Sequence, residues 1–198
     1  DNIVNTIYET VDRHSKKLWV GTAGGLSCMT LSGSTLGHFD HFFESHGLAN
    51  QHIYGILEDY RGNLWMSTNK GLSQFAPPSH FINYDRGDGL PMDEFSGGAY
   101  YKSKNGHLYF GSAKGFVTFC PDSISKNLNI PPVVITGFRV SNRDKLDGIS
   151  KPAHPPINLS YKDNVFSFSF SALDFTAPMK NKYAYKMQGF HKDWIHTD

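Results

Sequence analysis

Three copies of one short pattern run through the first part of the chain, and that repetition limits what the chain can fold into. The first copy reads Leu18-Trp19-Val20-Gly21-Thr22, then Gly24-Gly25-Leu26-Ser27. The second reads Leu64-Trp65-Met66-Ser67-Thr68, then Lys70-Gly71-Leu72-Ser73. The third reads Leu108-Tyr109-Phe110-Gly111-Ser112, then Lys114-Gly115-Phe116-Val117. The aromatic at the second position recurs after 46 and then 44 residues. A second marker, His46-Gly47-Leu48 and Asp88-Gly89-Leu90, repeats after 42. A period of about 40–50 residues is that of a β-propeller blade, a unit that buries its apolar faces only against its neighbours.

The local chemistry fits antiparallel strands. Ile53 to Glu58 reads as a strand, Asp59 to Asn63 as a turn, and Leu64 to Thr68 as the returning strand. The third copy carries Lys104-Asn105-Gly106-His107 at the turn, and Asn-Gly between apolar runs is a strong hairpin signal. The first copy has Arg13-His14-Ser15-Lys16-Lys17 there, without glycine, so its loop is expected to be longer or differently shaped. Gly71 and Gly115 fall where the chain turns into the next strand, which predicts a positive φ. Phe75 and Phe119 end third strands; Phe39, Phe42, Phe81 and Tyr84 fit outer ones. Aromatics make up 14% of the chain, which favours strands over helices. One aromatic at one register of every repeat reads as packing between blades, so Trp19, Trp65 and Tyr109 are expected in the core and not as sugar platforms.

The pattern breaks after Phe119. Pro121 to Asn129 is a polar connector with room for one helical turn. Pro131-Pro132 then leads into an apolar strand, Val133 to Val140, and Ser141 to Pro156 reads as loop or edge material. Phe166, Phe168 and Phe170 alternate with Ser167, Ser169 and Ser171, the mark of a half-buried strand, with Leu173-Asp174-Phe175 as a continuation. Tyr183, Tyr185 and Met187 form a second alternation, and Gly189 and Trp194 close the segment. These strands predict a β-sandwich that is incomplete at residue 198.

The stretch Gly47-Leu48, Ile53-Tyr54, Leu57-Glu58-Asp59, Gly62-Asn63-Leu64-Trp65, Thr68 and Gly71-Leu72 resembles the two-component regulator propeller repeat. Asn164-Val165-Phe166, Ala172-Leu173-Asp174-Phe175, Pro178, Tyr183-Ala184-Tyr185, Gly189-Phe190 and Asp193-Trp194 are similar to the Y_Y_Y domain that follows such propellers, and Ile130 to Thr136 is similar to the junction between them. The expected fold is therefore all-β: a partial β-propeller of about three blades over residues 1–129, then an incomplete immunoglobulin- or fibronectin-like β-sandwich over residues 130–198. The resemblance implies the periplasmic sensor segment of a bacterial inner-membrane receptor, a hybrid histidine kinase responding to an oligosaccharide and acting as a homodimer. Its membrane helix and output module would lie downstream, in a longer protein. A diguanylate cyclase output, a propeller enzyme acting on glycans and a protein-binding scaffold are the rival readings. Two features depart from the repeat. The third copy has Tyr109-Phe110 for Trp-Val or Trp-Met, and two extra residues between Gly89 and Tyr109, which suits a terminal blade. Closed propellers need about 4–8 blades. The missing ones are expected before Asp1, unless another copy of the chain covers the exposed edges.

Chemistry of other kinds is not written in the sequence. The net charge is +1 with no basic run, so nucleic acid is not an expected partner. Cys28 and Cys120 occupy non-equivalent repeat positions and suggest neither a disulfide nor a zinc site. His38, His41 and His46 lie near Asp40 and Glu44, but residues three apart on a strand point to opposite faces, so no metal site is expected. Asp85, Asp88, Asp93 and Glu94 do not match a calcium loop and read as turn-capping carboxylates. His52 lies within a repeat and is no phosphoacceptor. No nucleophile elbow, phosphate-binding loop or HExxH is present. The segment is thus expected to hold no catalytic residue, cofactor or metal. Its ligand-binding residues cannot be assigned from sequence; Asn69-Lys70 and Ser79-His80 are candidates by loop position alone.

Overall fold

The structure is a computed structural model and describes residues 3–11, 15–32, 35–76, 80–124, 131–141, 143–146, 158–174, 178 and 181–197. The chain forms two compact units, Asp1–Lys126 and Asn127–Asp198. The boundary expected between residues 129 and 130 lies outside the described residues.

The first unit holds three blades, as the repeat predicts. The first blade is β1 (Val4–Val11), β2 (Lys16–Thr22), β3 (Gly25–Ser32) and β4 (Thr35–Phe42), paired in that order. The second is β5 (Ile53–Glu58), β6 (Leu64–Thr68), β7 (Gly71–Ala76) and β8 (His80–Tyr84). The third, among the described residues, is β9 (Tyr100–Lys102), β10 (Leu108–Ser112) and β11 (Gly115–Phe119), followed by a 3-10 turn at Pro121–Ser123. All pairings are antiparallel.

The turn between β5 and β6 is organised by Asp59. Its buried carboxylate accepts hydrogen bonds from the backbone N–H of Arg61 and Asn63, from Asn63 Nδ2 and from the indole of Trp65, each at 2.9 Å. Register puts Thr10 at the same place in the first blade, where its Oγ1 accepts from Trp19 Nε1 at 3.0 Å. Ser103 holds the place in the third blade and bonds the carbonyl of His107. Of the two alternatives expected for the first-blade loop, longer or differently shaped, the second holds: β1 runs to Val11 and β2 begins at Lys16, which leaves residues 12–15, against 59–63 in the second blade. Extra cross-strand pairs up to Val11 and Lys16 take up the residues assigned to the loop. At the next turn Gly71 has φ +86, and a Cβ there would lie 2.0 Å from the carbonyl oxygen of Tyr84, so only glycine fits.

Two apolar seams join the blades. Trp19, Leu26 and Cys28 on one face of the first blade meet Ile53, Ile56, Leu64, Met66 and Phe75 of the second. Leu57, Trp65 and Leu72 on the far face of the second meet Leu108, Phe110 and Val117 of the third, together with Phe95. Trp19 and Trp65 are 4% and 1% exposed, which makes them packing residues. Each such side chain contributes roughly 1.5–3 kcal/mol by leaving water. Tyr60, in the second blade's turn, lies against Gly106 in the third and donates to the carbonyl of Lys104 at 2.9 Å.

In the second unit, β12 (Val133–Val140) is flanked by β13 (Arg143–Leu146) and β14 (Phe166–Ala172), while β15 (Tyr183–Tyr185) and β16 (Ile195–Thr197) form a separate hairpin. Phe168 and Phe170 meet Tyr185 and Tyr183 edge to face at 5.9 and 5.2 Å. Phe166 and Phe168 are partly exposed and line an open cavity of about 980 Å³ together with Tyr183 and Tyr185. β14 ends at Ala172 and does not continue through Leu173 and Asp174, and Phe175 lies outside the described residues.

Candidate functional site

The candidate position starts as an irregularity in pairing. β5 pairs with β6 at Ile53↔Thr68 and Gly55↔Ser67, so Tyr54 is a bulged residue. A bulge frees a side chain from the alternation of its strand and re-aims it. β1 carries the same bulge at Asn5, whose Nδ2 donates to the carbonyl of Ile53 and braces two blades. Tyr54 does something else. Its hydroxyl donates to Asn69 Oδ1 at 2.8 Å, and its ring lies 4.5 Å from that of His52.

The third blade answers with an insertion. Phe95, whose N–H donates to the carbonyl of Thr68, stands where Ile53 stands, and Tyr100 stands where Ile56 stands. The two extra residues noted in the sequence therefore fall between them: Ser96-Gly97-Gly98 replaces the single Tyr54. This wider turn, closed by the Ala99 N–H on the Ser96 carbonyl, leaves a cavity of about 270 Å³ lined among others by Tyr54, Asn69, Arg86, Glu94, Ser96 and Lys114. Arg86 is steadied by Asp93, which accepts from its backbone N–H at 3.0 Å and faces its guanidinium at 3.8 Å. The cavity offers an aromatic side chain, an amide, hydroxyls and charges of both signs. That set suits a polar, hydroxyl-rich ligand.

Of the loop candidates, Asn69 lines this cavity and Lys70 sits exposed beside it. Ser79 lies outside the described residues. His80 opens β8 at the other end of the blade, because β7 runs from Gly71 to Ala76 between the two loops, so the two pairs do not converge. Sequence reasoning did not name the cavity-lining residues Tyr54, Arg86, Ser96 and Lys114. The one signal in the sequence was the two-residue excess before Tyr109.

The acidic loop forms capped turns. Asp85 accepts from the Gly87 N–H, and Asp88 accepts from the Asp85 N–H. His41 Nδ1 pairs with Ser27 Oγ, while His46 Nδ1 accepts from the Phe43 N–H. No group of three or more His, Cys, Asp or Glu side chains converges among the described residues. Both cysteines are free, and burial raises the Cys28 thiol pKa above its ordinary value. A second cavity, of about 470 Å³, opens between the first two blades over Trp19 and Cys28, with Asp40 and Glu58 in its wall.

Residues 47–70 match the family model of the two component regulator propeller. The chain is 33% identical over 159 residues, or 76% of its length, to histidine kinase P4 of Formosa agariphila, of which it spans 12%. Its whole length superposes on the extracellular domain of the hybrid two component system BT3049 of B. thetaiotaomicron, with a TM-score of 0.78 and 32% identity, covering 27% of that chain. Residues 47–70 thus carry the matched repeat, and along its full length the chain is similar to the extracellular domain of a hybrid two-component system.

Proposed function

We propose that the chain is the ligand-sensing part of a bacterial two-component receptor, that it lies in the periplasm, and that it binds an oligosaccharide at the Tyr54 cavity. The observation that supports this reading is the likeness, over the full length, to the extracellular domain of a hybrid two component system. The cavity adds chemical support: Tyr54 presents an aromatic side chain to a sugar, and Asn69, Ser96, Arg86 and Glu94 supply donors and acceptors for its hydroxyls. Binding shifts the population of blade arrangements, and the sandwich passes that shift to a membrane helix in a homodimeric receptor whose output is a histidine kinase. The segment itself carries out no chemistry.

The test is thermal unfolding of the sensor region against a panel of plant and host oligosaccharides, since a ligand of the folded state raises the melting temperature. The expected result is a rise with one glycan class, with the sugar recovered intact and the rise lost in Tyr54→Ala. Cleavage of the sugar would point to an enzyme instead. No response to any saccharide would overturn the reading.

A further inference from the structure

The two seams differ at the end away from Tyr54, where the cavity of about 470 Å³ opens in the first and side chains occupy the second. Register gives the equivalent positions. On the face of the second blade that meets the third, Trp65 pairs with Gln74 and Gln74 with Ile82. Gln74 accepts from the Tyr84 hydroxyl at 3.2 Å, and Ile124 packs on that seam. On the first blade the same row is Trp19, Cys28 and Asp40, with Phe42 in place of Tyr84. Cys28 is too short to span what Gln74 spans, and Phe42 carries no hydroxyl. The first seam therefore keeps an open space over an apolar floor of Trp19, Leu64 and Phe75.

The charges change together with the space. Asp40 stands where the second blade has Ile82, and Lys17 stands where it has Asn63. Burial raises the Cys28 thiol pKa, Lys17 lowers it and Asp40 raises it, so a cation and an anion both act on the sulfur that lines the cavity. No ion pair engages Lys17 or Asp40 among the described residues. Glu58 joins the wall from the second blade, where the Tyr8 hydroxyl donates to it at 3.5 Å. Arg61 lines the cavity too, but Asp122 engages its guanidinium at 2.8 Å. We propose that this cavity is a second ligand site and takes a small zwitterion with an apolar body, the chemistry of a free apolar α-amino acid. The ligand carboxylate meets Lys17, its ammonium meets Asp40 and Glu58, and its side chain lies on Trp19 and Phe75. Charge-assisted hydrogen bonds of both signs then close over a floor that gains by leaving water. A ligand of one charge would leave the other sign unanswered. The volume falls within the roughly 300–1,000 Å³ of small-molecule sites. Glu58 ends the strand that Tyr54 lies near the start of, so this site needs nothing from the Tyr54 cavity and stands whether or not that cavity binds sugar.

Thermal unfolding and titration calorimetry of the chain with L-leucine and L-phenylalanine test it, since a ligand of the folded state raises the melting temperature. The expected result is a rise with at least one of the two free amino acids. Its N-acetyl derivative, which lacks the ammonium, and its amide, which lacks the carboxylate, should give none. Cys28→Gln, which installs the side chain that occupies the second seam, is expected to abolish the rise. Asp40→Asn, on an exposed side chain, is expected to keep the circular dichroism of the parent and to weaken binding about tenfold. No rise with either amino acid would overturn the proposal. Blocked derivatives that bind as well as the free amino acid would overturn it too, as would an Asp40→Asn chain that binds like the parent.

Discussion

The phenolic oxygen of Tyr100 lies 2.9 Å from Oγ1 of Thr6, so the first strand of the third blade is tied to the first strand of the first, across the second. The tie passes over Gly55, where an added Cβ would lie 2.2 Å from Tyr100 Cδ1. Gly55→Ala is expected to push Tyr100 away and to cost about 1–3 kcal/mol, as overpacking does. Tyr100→Phe, which removes only the hydroxyl, should cost about 1 kcal/mol. Urea unfolding of both variants checks the order. Equal losses would mean that the ring, and not the bond, carries the contact.

Asp59 is the acceptor on which one blade turn converges, taking four hydrogen bonds, one from the indole of Trp65. Asp59→Asn puts an amide donor where donors already point. The expected loss is about 1–3 kcal/mol, with a change in the Trp65 fluorescence environment. A double-mutant cycle with Trp65→Phe should show coupling between the two positions. Additive losses would refute it.

Burial raises the Glu58 carboxyl above its ordinary value of 4.5, while Lys102 and the Tyr8 hydroxyl pull the other way. A raised acid holds its proton more tightly in the folded chain. Its contribution to stability is complete below 4.5 and is lost as pH climbs through the folded value. Glu58→Gln removes that loss. The variant should gain on the parent between about pH 4 and pH 7, by less than about 1 kcal/mol because the group is partly solvated. Denaturant midpoints across that range decide it; a gap that narrows as pH rises would refute the assignment.

Deleting Gly97 and Gly98 restores the repeat length of the second blade and should close the Tyr54 cavity. The expected variant melts within a few degrees of the parent but no longer responds to the saccharide that stabilises it. Asn69→Ala, which releases the Tyr54 hydroxyl, should weaken that response without abolishing it. An undiminished response in the deletion variant would move ligand binding elsewhere.

The blades were legible because each repeat states its own strands, turns and packing aromatic. Gly71 and Trp65 fell where spacing put them, since a turn that needs positive φ and a seam that needs a large flat side chain leave few substitutes. The site was harder to read. Asn69, a candidate by loop position, lines the cavity, but its partner Tyr54 sits in an apolar run, and only the pairing register shows that it is displaced from the sheet. The two added residues were visible as a number. Where they went depended on which residue of the third blade replaced Ile53, and that follows from the bonds of Gly111, which accepts from the Ser96 N–H and donates to the Ala99 carbonyl at the place Ser67 holds opposite the second-blade bulge.

The shared bulge also has a consequence for descent. Asn5, Tyr54 and the Ser96–Gly98 turn occupy one slot in three blades, and that slot lies outside the ladder that sets the strand register. Here it holds a strut at Asn5, a cavity-lining tyrosine at Tyr54 and a spacer at Ser96–Gly98. Drift at that slot can therefore change what a propeller recognises while the sheets around it stay as they were, so new specificities can arise one blade at a time from an unchanged scaffold.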